Sequence, residues 1–238
     1  MHFTDLGLKA ELLRAVAEQG YDTPTPIQQQ AIPAVILHRL FSGERQARVT
    51  KKPRVLVLVP TRELAIQVEE SVRTYGKHLP VVSLAVFGGV GINPQIAGLR
   101  RGVDILVATP GRLLDHIQQR TADLSAIEIL VLDVADRMLD MGFIRDIRKI
   151  IALLPKQRQN LMFSATFSPD IRELAAGLLH NPASVDVAAR NTAAETVAQC
   201  VIETNRDQQK ALLCHLFETR GWHQVLVFAR TKHGADAL

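Results

Sequence analysis

Ile105-Leu106-Val107-Ala108 and Ile129-Leu130-Val131-Leu132 are apolar at every position, so neither face of either segment tolerates water. A strand of this kind must be covered on both sides. Parallel sheets with helices on both faces supply that cover. Comparable runs recur at 55–59, 81–87, 161–163 and 184–187, and stretches such as 62–78 and 144–154 between them carry helical spacing. Strand alternating with helix predicts an α/β fold built on a doubly wound parallel sheet. Such a sheet gathers the carboxyl ends of its strands along one edge, where open α/β folds place ligand chemistry.

The chain has 238 residues, 47% of them hydrophobic, which is enough for one α/β domain and part of another. The composition shifts at Ala188-Ala189-Arg190-Asn191-Thr192-Ala193-Ala194, and residues 189–195 read as a linker. It separates a first lobe, 1–188, from a segment, 196–238, with strands expected at 197–203 and 225–228. Helices are expected there at 206–220 and from about Thr231. That segment is too short to close an α/β core and reads as the truncated start of a second lobe. Cys200 and Cys214 stand in no metal-ligand pattern and read as free thiols. With no signal segment and no membrane-length apolar run, the expected location is the cytoplasm. A net charge of +4 fits a phosphate-rich partner and an ordinary basic protein equally well.

Motifs follow the strands in a fixed order. Phe3 precedes Gly20-Tyr21-Asp22-Thr23-Pro24-Thr25-Pro26-Ile27-Gln28. Then come Pro60-Thr61-Arg62-Glu63-Leu64-Ala65, Gly88-Gly89, Thr109-Pro110-Gly111-Arg112, Asp133-Val134-Ala135-Asp136 and Ser164-Ala165-Thr166. Gln28 has the amide geometry to read an adenine edge. It is equally a helix-face amide behind a Thr25 cap and Pro26 at the first helical position. Glycines and helix starts at Thr61, Gly88, Gly89, Thr109, Gly111 and Arg112 present backbone N–H groups to phosphates, or serve as ordinary caps and turns. Arg62 has a competing role in an ion pair with Glu63 or Asp136.

The ordered set resembles the DEAD-box RNA helicases, with flanking sequence similar to their bacterial RhlE-type branch. The resemblance implies a RecA-like fold and ATP-dependent RNA unwinding, with ATP and Mg²⁺ as cofactors. It places Phe3, Tyr21 and Gln28 against the nucleotide, and Asp133 against Mg²⁺. Thr61, Arg62, Gly88, Gly89, Thr109, Gly111 and Arg112 would lie on single-stranded RNA, gripped without regard to sequence. Ser164 and Thr166 would bond near Asp136 and couple nucleotide state to lobe closure. Val227-Phe228-Ala229-Arg230-Thr231 resembles the first motif of the second lobe.

The chain departs from that pattern where hydrolysis is performed. Val134 stands where the family has a glutamate to orient or deprotonate water, leaving Asp133 and Asp136 as vestiges of a catalytic motif. No Gly-x-x-x-x-Gly-Lys-Ser/Thr occurs, and only 36–53 fills the space where that loop and its strand are expected. Gly76-Lys77-His78 is the nearest substitute, at the end of a predicted helix. Loss of a general base costs about 10²- to 10⁴-fold in rate. An adenine pocket alone gives about 3–5 kcal/mol, or millimolar affinity at best. The expectations are therefore weak or absent ATP binding, no competent hydrolysis, and a sheet that closes up or leaves an open edge. Alternatives are an ATP-independent RNA-binding module, or a fragment that docks on a protein partner or on itself through the second lobe.

Overall fold

The structure is a computed structural model that describes residues 2–25, 51–185, 198, 200–229 and 231–237. Gln28, the 36–50 stretch, the 189–195 linker and Arg230 lie outside them. The chain divides into two compact units, Met1–Arg190 and Asn191–Leu238.

The first unit is built on a five-stranded sheet, all parallel: β1 (Val55–Leu58), β2 (Ser83–Val86), β3 (Ile105–Ala108), β4 (Ile129–Leu132) and β5 (Gln159–Met162). Their order across the sheet is β2-β3-β1-β4-β5. The chain leaves β1 for one side, returns through β3, and crosses to β4 on the other side, so winding reverses at the β1–β4 boundary. This is the RecA-like α/β fold. β1, β3 and β4 are buried along their whole length, whereas all four β5 residues are half-buried. Among the described residues β2 and β5 form the edges.

Alternate strand residues feed two cores, as covering on both faces requires. Leu56, Leu58, Leu106, Leu130 and Leu132 pack with helices α3 (Asn93–Arg101), α4 (Pro110–Gln118), α5 (Ala135–Asp140), α6 (Ile144–Ala152) and α7 (Pro169–Leu178). Val55, Val57, Val59, Ile105 and Val131 pack with α2 (Arg62–Tyr75). Gly98 lets α3 approach β2: a Cβ there would fall 2.9 Å from a methyl of Leu84. Ahead of the sheet, a 3₁₀ turn (Phe3–Leu6) and α1 (Ala10–Glu18) form a small cluster of Phe3, Leu6 and Val16 with Tyr75.

The second unit departs from the sequence expectation. Its helices form at Gln209–Arg220 (α8) and Lys232–Ala237 (α9), with Gly234 N–H donating to the Thr231 hydroxyl at 3.0 Å. Among the described residues, 197–203 and 225–228 are not strands. A strand is stable only when its backbone groups find a ladder partner, and among the described residues these runs have none. The expected 184–187 strand likewise has no counterpart within its described residues, 184 and 185. No helix among the described residues is long and apolar enough to cross a membrane.

Candidate nucleic-acid and nucleotide site

The parallel sheet brings five of the motifs, those that follow strands, to one edge. Across that edge the order is Gly88-Gly89 after β2, Thr109–Arg112 after β3, Thr61-Arg62 after β1, Asp133–Asp136 after β4, and Ser164–Thr166 after β5. The ladder continues into the motifs and fixes their height. Thr109 N–H donates to the Val86 carbonyl at 3.1 Å, Asp133 N–H to Leu58 at 3.0 Å, and Phe163 N–H to Leu132 at 2.8 Å. Residues read as RNA-facing occupy the contiguous β2-β3-β1 half. Asp133, Asp136, Ser164 and Thr166 occupy the β4-β5 half.

On the first half, Thr61 caps α2, its hydroxyl accepting from Leu64 N–H at 3.2 Å. Thr109 begins α4 without a side-chain cap bond, ahead of Pro110. Arg62 makes neither of the ion pairs expected of it. Its guanidinium lies 5.5 Å from the centre of the Phe87 ring, a cation–π contact on an exposed edge. Arg112 is largely turned inward, with 12% of its side chain exposed. Its Nη2 donates to the Val90 carbonyl at 3.0 Å and its Nε lies 3.4 Å from Asp115, while Nη1 is buried without a hydrogen-bond partner. Arg112 thus ties α4 to the turn after β2. Gly88, Gly89 and Gly111 face open space.

On the second half, Asp136 Oδ2 accepts from both the backbone N–H and the hydroxyl of Thr166, each at 2.9 Å. Ser164 Oγ accepts from Asp136 N–H at 3.3 Å and donates to the Thr166 carbonyl at 2.7 Å. Burial raises the Asp136 pKa, but the bonds from Thr166, Arg137 and Ser164 outweigh it and hold the carboxyl below its ordinary value. Asp133 is pushed the other way by burial, offset only in part by a backbone bond at Val134. Val134 sits at φ 53°, ψ 55°, the left-handed region, where a β-branched side chain is strained.

Asp133 is one carboxylate whose charge burial disfavours, Asp136 is committed to Thr166, and Val134 offers a hydrocarbon surface. Among the described residues no group of three or more His, Cys, Asp or Glu side chains is placed to hold a metal. Gly76-Lys77-His78 is no phosphate loop: Gly76 ends α2, and the Lys77 ammonium and His78 imidazole lie 2.9 and 3.0 Å from Glu18. Of the residues read as nucleotide-facing, Phe3 is buried at 8% exposure in the amino-terminal cluster, while Tyr21 is 53% exposed. Phe3 packs with Leu6 and Val16.

The profile of the DEAD/DEAH box helicases matches residues 25–174. The chain belongs to this family. It is 39% identical to the ATP-dependent RNA helicase DeaD of Mycobacterium tuberculosis, covering 99% of this chain and 45% of that protein. It is 35% identical to the DEAD-box ATP-dependent RNA helicase RhpA of Helicobacter pylori, covering 99% and 51%. Identity to the ATP-dependent RNA helicase CshA of Limosilactobacillus reuteri is 36%, covering 100% and 51%. The chain spans about half the length of these curated relatives.

Sequence reasoning missed Phe87, Gln95, His116 and Thr121. Gln95 and His116 are the buried polar side chains of the described residues. Gln95 joins His116 and the Phe87 carbonyl across three elements, so no local pattern marks it, whereas Thr121 bonds His116 five residues away.

Proposed function

We propose that this chain is an RNA-binding DEAD-box homologue that grips single-stranded RNA by its sugar-phosphate backbone and does not turn over ATP by itself. The observation that carries the reading is the contiguous β2-β3-β1 edge. Three successive strand ends there present glycines and helix starts, the groups that meet phosphates without reading bases. On this reading residues 1–188 are the first helicase lobe, 189–195 the linker and 196–238 the start of the second lobe. The flanking sequence favours the bacterial RhlE-type branch, and the thiols fit the cytoplasm.

Loss of hydrolysis is supported by Val134, by the donor set around Asp133 and by the missing phosphate loop. The alignments to the three relatives run 252–255 positions, more than the 238 residues of this chain, which fits an internal deletion. ATP and Mg²⁺ remain the family's cofactors and bind weakly or not at all here. Phosphate release with and without single-stranded RNA is expected at the level of a buffer blank, and RNA-stimulated turnover in a clean preparation overturns this reading. RNA affinity is expected to be independent of sequence and to fall as salt rises.

A second reading, docking on a protein or on itself, is favoured by the second unit. Val201, Leu226 and Phe228 there are 94%, 78% and 88% exposed. Binding that ignores salt and disappears when residues 191–238 are removed would select it.

A further inference from the structure

The Gly88-Gly89 turn is tethered at both ends by buried or largely buried side chains. Gln95 Nε2, on α3, donates to the Phe87 carbonyl at 3.0 Å, and Arg112 Nη2, on α4, donates to the Val90 carbonyl at 3.0 Å. Both carbonyls are thereby drawn toward protein donors. The backbone N–H groups of residues 88–91 donate to no acceptor among the described residues. Gly89 lies at φ +78°, and a Cβ at Gly88, Gly89 or Gly91 would meet no atom within 4 Å, so the turn is open on its outer side. Successive unpaired N–H groups in a turn that includes a left-handed residue form an anion-binding concavity.

The orientation of the Gln95 amide is decided one step further in. His116 is fully buried, with Nε2 3.0 Å from Gln95 Oε1 and Nδ1 2.8 Å from the Thr121 hydroxyl. Burial first, and the Arg112 charge second, depress its pKa against an opposing Asp115, so the ring is neutral. The Thr121 hydroxyl lies 2.8 Å from Nδ1 and 3.0 Å from the His116 carbonyl, within hydrogen-bond distance of both. The tautomer with its proton on Nε2, and with Nδ1 accepting from the Thr121 hydroxyl, is the one that keeps the Gln95 NH₂ on the Phe87 carbonyl. Nε2–H donates to Gln95 Oε1, and the amide must then present its NH₂ to Phe87. The opposite tautomer would flip the amide and set two oxygens against each other.

We infer that Gln95, His116 and Thr121 are positioning residues for the phosphate grip of the Gly88–Gly91 turn, acting as a relay that holds the turn's carbonyls inward and its N–H groups outward. The inference rests on the RNA reading above. Its test is the anisotropy of a labelled uridine oligonucleotide titrated with the full chain, far below the melting temperature. His116→Leu is expected to bind about tenfold more weakly, the scale of a lost hydrogen bond to a charged group. His116→Gln is expected to bind within about twofold of the parent, because its amide N–H also reaches Gln95; this is a rescue that lost packing alone does not explain. Gln95→Leu should add nothing to His116→Leu, since both act through one path. The salt slope should stay unchanged, as no cation is removed.

A parent chain that fails to bind the oligonucleotide overturns the RNA reading and this inference together. A parent that binds, with His116→Leu and Gln95→Leu binding equally well, overturns the relay alone. Should the leucine variants not melt cooperatively, the near-isosteric Thr121→Val carries the test: about threefold weaker binding supports the relay and unchanged binding overturns it.

Discussion

Val134 is the residue at which chemistry and backbone disagree. Its left-handed conformation is imposed by its surroundings: Asp133 N–H is laddered to Leu58, and Ala135 N–H donates to the Phe163 carbonyl at 2.9 Å. A β-branched side chain pays for this conformation with strain that glycine does not feel. Val134→Gly is expected to stabilise the chain by about 1 kcal/mol, read as an upward shift in the denaturant midpoint. A lower midpoint would mean that the valine's packing outweighs its strain. On the proposed loss of the phosphate loop, Val134→Glu should leave ATP turnover at blank, because a water-orienting carboxylate cannot act on phosphates that nothing holds. Asp136→Ala removes the acceptor of two Thr166 bonds and one from Arg137, and should cost about 1–3 kcal/mol.

Among the elements, α1 is tied to the end of α2 by charge. Glu18 pairs with Lys77 and His78, and Lys77 first, with burial opposing and His78 helping, holds its pKa at about 2 against an ordinary 4.5. A depressed carboxyl pKa contributes stability that is complete above the unfolded value and is lost as pH falls toward the folded one. The chain should therefore lose stability between about pH 4.5 and pH 2, and Glu18→Gln should flatten that limb. Asp136 acts in the same direction and Asp133 in the opposite one. Fluorescence-detected melting across that range checks the prediction; identical pH profiles for parent and Glu18→Gln would show that the pair is solvated in both states. In the sheet, Leu132→Ala empties a fully buried site at the centre of one core and should cost about 2–5 kcal/mol.

At the scale of the whole molecule, the two units differ in how well they cover their own apolar surface. The first contains a double-sided core. The second has an edge-to-face pair, Phe217 and Trp222 with centroids 6.2 Å apart, but no buried residue on α8. Removing residues 191–238 should reduce self-association while the remaining unit keeps a cooperative melt. Light scattering of both chains at matched concentration checks it. If the shortened chain aggregates and the full one stays monomeric, the second unit is protecting the first.

The α/β class was determined by sequence because a run such as Ile129-Leu130-Val131-Leu132 has one physical solution, burial on both faces. The motifs at the strand ends were equally legible, since Gly, Pro and Thr after such runs dictate turns and helix starts locally. Strands 197–203 and 225–228 were misread because propensity describes a residue, whereas a strand requires a partner elsewhere in space. Arg62 was given the wrong contact for a related reason: Glu63 is near in sequence, but Phe87 comes near only through the β1–β3–β2 packing. The division of one sheet edge into a half with the Gly88-Gly89, Thr109–Arg112 and Thr61-Arg62 turns and a half with Asp133, Asp136, Ser164 and Thr166 depends on strand order, which is a property of crossovers and not of any segment. The relay from Thr121 through His116 and Gln95 to Phe87 joins residues of three elements. Only their packing excludes water from those polar atoms and obliges them to satisfy one another.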